Sequence, residues 1–244
     1  MADQSTVQRR TLEPNVVSQH EVLRPAECEA VRDQVLALKR HWRPRSNEGN
    51  FFTLGVASYL DAVGRHGAYV GEARETNRIL RENFDWLCER VRTGFEKLLG
   101  QSVRYSEQCA LPGFHIFFYG GGDHSGDRPS GRAHFDLQWI HAMPGRRRPD
   151  ETLSFTLPID EPSGGCSLAV WPAHFDAIKP DFDALAHAAN TPAQTVRYAR
   201  GRMVVHDGLL LHAIGAASIA DPKGYRITFQ GHGAKLSGNW QLYW

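Results

Sequence analysis

Histidine is the residue type whose number and spacing most invite chemistry in this chain, with 12 among 244 residues. In Ala133-His134-Phe135-Asp136 an imidazole and a carboxylate stand two positions apart. On a strand, positions i and i+2 project from the same face. Gln138 continues that face, while Phe135, Leu137 and Trp139 form the other. The segment therefore reads as a strand with one polar side and an apolar back, suited to the wall of a polar cavity. H-x-D alone is a weak signal, and the chain repeats the tetrapeptide at Ala173-His174-Phe175-Asp176. A further ligand must come from a distant strand, and the block from Gly201 to His212 offers His206 and His212. His212 is the better placed. Turn chemistry at Asp221-Pro222 and Gly224 separates it from Arg226, and a hairpin centred near Ile219 would set Arg226 close to opposite His212. Thr228 would share the face of Arg226.

Two imidazoles and one carboxylate on one side of a metal, with the remaining positions open, form the donor set of non-haem Fe(II) sites that bind substrate, cosubstrate and O₂. An arginine beside such a site can hold the far end of a dicarboxylate through a bidentate pair, with a hydroxyl as third point. A metal plus a keto acid is the chemistry these residues suggest. His174 lies too few residues before His212 for the intervening strands of a barrel, so His174 and Asp176 are expected in a loop. His206 is expected to be a satisfied interior histidine that can approach the mouth of the site. Trp171 is either a stacking surface for substrate or a core aromatic. Arg146, Arg147 and Arg148 read as a solvated loop. No G-x-S-x-G elbow, Walker loop or G-x-G-x-x-G loop is present.

The elements that must position these residues follow from the hydrophobic spacing. Pro25 stands at a plausible first helical position, and Cys28, Val31, Val35 and Leu38 recur at helical intervals. A second helix is predicted over about 74–99, where Leu80, Phe84, Leu87, Val91, Phe95 and Leu98 form one stripe and Gly100 lies just beyond. After Gly100 come short runs rich in aromatic and β-branched residues, near 102–106, 114–119, 133–140, 152–159, 166–171, 195–199, 201–206, 209–214 and 225–230. So many short strands argue for an antiparallel sandwich or barrel, braced on one outer face by the helices. The expected organisation is one domain over 1–244: a loose arm over 1–20, helical support over 21–100, and the strand-rich body over 101–244. Val16 and Val17 could begin an edge strand. Residues 172–193 read as an inserted loop with a short helix.

Composition narrows the class further. Lys plus Arg number 28 against 27 Asp plus Glu, a net charge of +1, so nothing pulls the chain toward nucleic acid or an anionic membrane. Hydrophobic residues at 41% and charged residues at 23% are ordinary globular usage. The four cysteines are scattered and expected to be reduced. Without an apolar leader or a span of about 18 apolar residues, the expected location is the cytoplasm. The oligomeric state is open, a homodimer included.

At this point the chain resembles a family, the Fe(II)/2-oxoglutarate-dependent dioxygenases, in particular the branch similar to prolyl 4-hydroxylase. The likeness spans roughly 114–233 and rests on the order of several pieces: FFYGGG at 117–122, AHFD at 133–136, LSFTLPID followed by Gly164-Gly165, the block from Gly201 to Gly215, and GYRITF at 224–229. The helix near Pro25 also looks like that branch's first helix. The resemblance implies a double-stranded β-helix of the jelly-roll or cupin-like type. By position it implies His134, Asp136 and His212 as Fe(II) ligands, Arg226 with Thr228 on the distal carboxylate of 2-oxoglutarate, and Tyr119 touching the same cosubstrate. It implies consumption of O₂ and release of succinate and CO₂ as a substrate is oxidised. Related halogenases carry a small residue where Asp136 stands, so hydroxylation or a related oxidation is expected rather than chlorination. The long loop from Gly120 to Arg132, His206 and the 172–193 insertion depart from the family pattern.

A small molecule, an amino acid derivative or natural-product intermediate, is the expected substrate, and Gln138, Trp171 and His206 are the residues offered to it. Competing readings are a peptidyl (prolyl-type) hydroxylase, a non-catalytic cupin-like ligand-binding module, and a zinc hydrolase using the same ligands.

Overall fold

Helix α1, Pro25–Ala37, forms where its apolar spacing places it and buries Cys28, Val31 and Val35. It belongs to a computed structural model that describes residues 12–47, 49–118, 131–162, 165–215 and 224–244. The long helix begins earlier than its stripe suggests. After a short helix α2, Ser58–Asp61, helix α3 runs over His66–Leu99, with non-helical backbone at Phe84 and Gly100 closing it in the left-handed region at φ 62°. Its first two turns carry two glycines and hide only Tyr69 and Ala73, so the sequence shows no apolar stripe there.

The strands sort into two sheets. The large one contains β1 (Ser18–Glu21), β2 (Arg43–Pro44), β3 (Phe51–Leu54), β4 (Val103–Tyr105), β5 (Gly113–Phe118), β6 (Glu151–Asp160), β9 (Arg202–His206), β11 (Tyr225–Leu236) and β12 (Asn239–Tyr243). Its main order is β1-β9-β6-β11-β5-β3-β2, with β12 pairing β11 and β4. The small sheet has the order β10-β7-β8, from β7 (Ser167–His174), β8 (Gln194–Arg197) and β10 (Leu210–Ile214). This mainly antiparallel, two-sheet body with bracing helices is the expected double-stranded β-helix.

Alternation along the large sheet gives it two unlike faces. Phe114, Ile116, Leu153, Phe155, Leu157, Met203, Val205, Ile227 and Phe229 join one cluster with the apolar sides of α1 and α3. Phe84 meets Phe114 at 4.7 Å and Phe95 meets Phe155 at 5.1 Å between ring centroids. Each such fully buried ring contributes roughly 1.5–3 kcal/mol. The intervening residues face the small sheet, where Val204 packs with Leu168, Val170 and Leu210.

Several expectations need correction. Within the stretch expected to be helical support, β2 and β3 extend the large sheet. The edge strand begins at Ser18, two residues after Val16, and pairs with β9. The segment 133–140 is not a strand: His134 makes an isolated bridge to His212, and α4, Trp139–Ala142, follows at once. No hairpin joins His212 to Arg226, because β10 pairs β7 while β11 pairs β5 and β6 in the other sheet. Within the insertion, α5 (Ala184–Asn190) has Asp183 accepting from two of its first amides. Ala184 and Ala188 pack with Trp171, Leu211 and Ala213, so α5 covers the small sheet's outer face.

Candidate metal centre

The bridge between His134 and His212 is made by two reciprocal backbone bonds, of 2.9 and 3.0 Å. Such a directly opposed pair brings the side chains to one face, and the two imidazole centroids lie 4.5 Å apart. Two residues on, the Asp136 amide donates to the Gly208 carbonyl at 2.8 Å, which pins the acidic residue to the turn before β10. One donor atom from each of His134, Asp136 and His212 can be chosen so that all lie within 4.8 Å of one another.

Each histidine is oriented through its other nitrogen. His134 Nδ1 lies 2.8 Å from the Arg132 carbonyl and His212 Nδ1 lies 2.8 Å from the Leu210 carbonyl. A carbonyl only accepts, so each Nδ1 carries a hydrogen and Nε2 is the atom left to present a lone pair once the ring is neutral. Both Nε2 atoms face the carboxylate: His134 Nε2 is 3.6 Å from Asp136 Oδ1, and His212 Nε2 is 3.3 Å from Oδ2. Burial would raise the Asp136 carboxyl, but positive charge on His212 and His232 and the hydrogen bond from His134 outweigh it and hold it well below the usual range, the part an ion would take once the rings are neutral ligands. Three electron-pair donors in contact need a cation or a proton among them. The set fits a divalent ion with nitrogen and oxygen ligands, and backbone carbonyls fix the histidines as such ligands require. The His134 side chain is 47% exposed while those of Asp136 and His212 are 8% and 7%, so the open side lies toward His134.

Gln138 sits otherwise than the sequence suggested, while His206 is the interior histidine and Trp171 the core aromatic that it allowed. Gln138 is not on a strand facing substrate; it precedes α4 and its Nε2 donates to Asp136 Oδ1 at 3.2 Å. His206 ends β9 with its ring 4.6 Å from that of His212, and its Nδ1 accepts from the Gly208 amide at 3.1 Å. Burial, then the neighbouring His212, pushes His206 down to about 3, so it is a neutral donor through Nε2. Trp171 points away: its indole donates to the Thr191 carbonyl at 2.9 Å on the outer side of the small sheet. The second tetrapeptide is separate, with His174 Nε2 2.9 Å from Asp207 Oδ2 and Asp176 paired with Arg148.

Sequence reasoning missed His232 and Ser154. His232 Nδ1 lies 3.0 Å from Ser154 Oγ and 3.9 Å from Asp136 Oδ2. The signal was available, since Arg226, Thr228, Gln230 and His232 alternate along one face of β11. Arg226 is 1% exposed, with its guanidinium carbon 5.5 Å from both the Phe117 and Tyr198 ring centroids. Thr228 is fully buried and its hydroxyl accepts from Gln230 Nε2 at 2.8 Å. One strand face thus leads from Arg226 to the carboxylate of the triad. Tyr119 lies outside the described residues.

Among known proteins, no family model and no curated sequence matches the chain. Solved structures do. An N-substituted L-amino acid dioxygenase from Burkholderia ambifaria AMMD aligns over 93% of this chain and 85% of its own, with TM-score 0.58 and 14% identity. AviO1 from Streptomyces viridochromogenes Tue57 aligns over 95% and 94%, with TM-score 0.51 and 15% identity. The non-heme alpha ketoglutarate dependent epimerase SnoN from nogalamycin biosynthesis aligns over 91% and 79%, with TM-score 0.50 and 16% identity. The chain therefore shares the double-stranded β-helix fold of that dioxygenase and that epimerase.

Proposed function

We propose that the chain is an Fe(II)- and 2-oxoglutarate-dependent oxygenase that hydroxylates a small molecule, with release of succinate and CO₂. The observation that carries this reading is the convergence of the His134 and His212 Nε2 atoms on the Asp136 carboxylate, with both Nδ1 atoms tied to backbone carbonyls. Such a facial set leaves coordination positions for a keto acid and O₂. Bound there, Fe(II) would supply the oxidising chemistry, coupling decarboxylation of the keto acid to oxidation of the substrate.

The remaining work falls to the protein. His134, Asp136 and His212 would hold the metal, and Gln138, donating to Asp136 Oδ1, would steady the carboxylate ligand. Arg226, cationic and buried between two aromatic rings, would bind the distal carboxylate with the Thr228 hydroxyl beside it. Gln230 donates to that hydroxyl, so the Thr228 hydrogen is left for the ligand. An amino acid derivative or natural-product intermediate is the substrate class that the N-substituted amino acid dioxygenase and the nogalamycin epimerase support.

The test is an anaerobic titration of the purified protein with Fe(II) and then 2-oxoglutarate, followed in the visible for the weak charge-transfer band of a chelated keto acid. A band that needs both additions is expected. Iron binding without a band would replace the oxygenase reading by a hydrolytic one, and no iron binding would leave a ligand-binding module.

A further inference from the structure

The inner face of the large sheet carries one more polar group toward Arg226. His115 on β5 is 6% exposed and pairs in register with Thr228, as Phe117 pairs with Arg226. Residues opposed in this way share a face, with Cβ atoms about 4.5–5.5 Å apart. His115 and Thr228 are therefore neighbours on the wall that Arg226 shares.

The hydrogen bonds of His115 assign its tautomer. Its Nε2 lies 2.5 Å from the Tyr59 hydroxyl, which has no other hydrogen-bond partner among the described residues. Burial raises the Tyr59 phenol above its ordinary value and keeps it protonated. The phenol therefore donates to Nε2, and Nδ1 of His115 carries the ring hydrogen. That Nδ1 is fully buried and has no hydrogen-bond partner among the described residues. The rings of Phe51 and Trp244, each with its centroid 5.2 Å from the imidazole's, hold it in place. A buried donor of this kind is costly to keep unless a ligand completes it. Burial, then the charges of Arg226 and Arg45, pushes His115 down to about 3, so the ring is neutral.

We propose that His115 is a cosubstrate-binding residue whose Nδ1–H donates to the distal carboxylate of the keto acid, beside Thr228 and Arg226, with Tyr59 holding the required tautomer. This rests on the oxygenase reading above. A neutral donor next to a buried cation suits a carboxylate, because it adds a hydrogen bond without a second charge to bury. The position also reads the far end of the ligand: Thr228 is four residues along β11 from His232, the residue that approaches Asp136.

The experiment measures keto acid affinity in the Fe(II)-loaded, anaerobic protein for wild type, His115→Leu, His115→Asn and His115→Gln. Two keto acids are used, 2-oxoglutarate and 2-oxobutanoate, which lacks the distal carboxylate. An Asn amide nitrogen falls near the place of Nδ1, and a Gln amide nitrogen near that of Nε2. Leu and Gln are expected to weaken 2-oxoglutarate about tenfold or more, the scale of one hydrogen bond to a charged group, and Asn to stay within about threefold. Affinity for 2-oxobutanoate and for Fe(II) should stay the same in all four. Equal 2-oxoglutarate affinity in His115→Leu and wild type would overturn the proposal. So would rescue by Gln rather than Asn, which would reduce His115 to a partner for Tyr59, or a parallel loss for both keto acids. The Asn and Gln pair decides the matter even if the Leu protein does not fold. Failure of wild type to bind either keto acid would remove the oxygenase reading and this inference with it, whereas a wrong variant pattern would remove the inference alone.

Discussion

His134 and His212 exchange both of their backbone hydrogen bonds, across an isolated bridge between a loop and the edge strand of the small sheet. The bridge fixes the two imidazoles relative to each other through main chain, before any ion is bound, and Asp136 is fixed the same way through the Gly208 carbonyl. A site held by backbone needs little rearrangement to take a metal. Fe(II) or another divalent ion at about 100 times its Kd should then stabilise the protein by about 2.7 kcal/mol. In a thermal melt with and without the ion, wild type should shift upward. His134→Ala and His212→Ala should not respond, and bound metal measured after dialysis should fall to background in both.

The repeated tetrapeptide gives an internal control. His174 bonds to Asp207, whose other oxygen accepts from the amides of Leu209 and Leu210, so this pair buttresses the turn rather than the ion. His174→Ala is expected to lower stability by about 1–3 kcal/mol, the cost of leaving a buried hydrogen-bonding group without its partner. It should retain a full equivalent of metal. Loss of metal in this variant would mean that the tetrapeptide at 173–176, rather than the one at 133–136, holds the ion.

What the sequence made legible divides along physical lines. Helices and strands with one apolar stripe were readable because burial imposes their period, as in α1 through Cys28, Val31 and Val35. The H-x-D pair and His212 stood out as candidate ligands because ligand types are few, and the fold brings the three together. The local conformation at 133–140 was not, since the alternation that suggested a strand is also compatible with one bridge followed by a turn of helix. Nor was the placement of Arg226, because nothing local says that β10 and β11 enter different sheets. The Gln138 bond to Asp136 is local but needs the turn into α4 that the alternation hid, and the contact of Ser154 with His232 joins distant segments, which no single stretch of residues records.

Gly208 is the joint that supports Asp136. Its φ of +81° lies where side chains are strained, and a Cβ there would stand 3.1 Å from Ser154 Oγ and 3.7 Å from Asp136 Cβ. Gly208→Ala should cost about 1–3 kcal/mol of stability from the backbone strain alone. It should also weaken metal binding, roughly 10–100-fold as for the loss of other groups that orient a ligand. Calorimetric titration with Fe(II) under anaerobic conditions separates the second effect from the first, provided the protein is folded at the working temperature.

Arg226 makes a contrasting prediction. Its guanidinium sits over Phe117 and Tyr198, on the same strand and face as Thr228. Replacing it by Lys keeps a charge but loses the planar fork. Arg226→Lys should therefore weaken 2-oxoglutarate by about tenfold to a hundredfold, the scale of a charge-assisted pair, while metal content stays at wild-type level. The anaerobic band at saturating iron gives the affinity directly. A loss of iron alongside the loss of keto acid would argue for general damage to the barrel.

Acid should unfold the metal-free protein through its buried neutral histidines, and His115 is the case that can be isolated. Its pKa in the folded chain is pushed to about 3, first by burial and then by Arg226 and Arg45, against roughly 6.5 when unfolded. Between those values the unfolded chain binds a proton that the folded one refuses, so stability is fully present above about pH 6.5 and is lost as the pH falls toward 3. One such group contributes a slope on the order of 1.4 kcal/mol per pH unit within that window. Urea unfolding in the presence of a chelator at pH 7, 6 and 5 should show this decline in wild type. His115→Asn, which has nothing to titrate, should show a slope smaller by about that amount while unfolding with the same denaturant dependence. Parallel slopes for the two proteins would mean that His115 is solvated or charged in the folded state, contrary to its enclosure by Tyr59, Phe51 and Trp244.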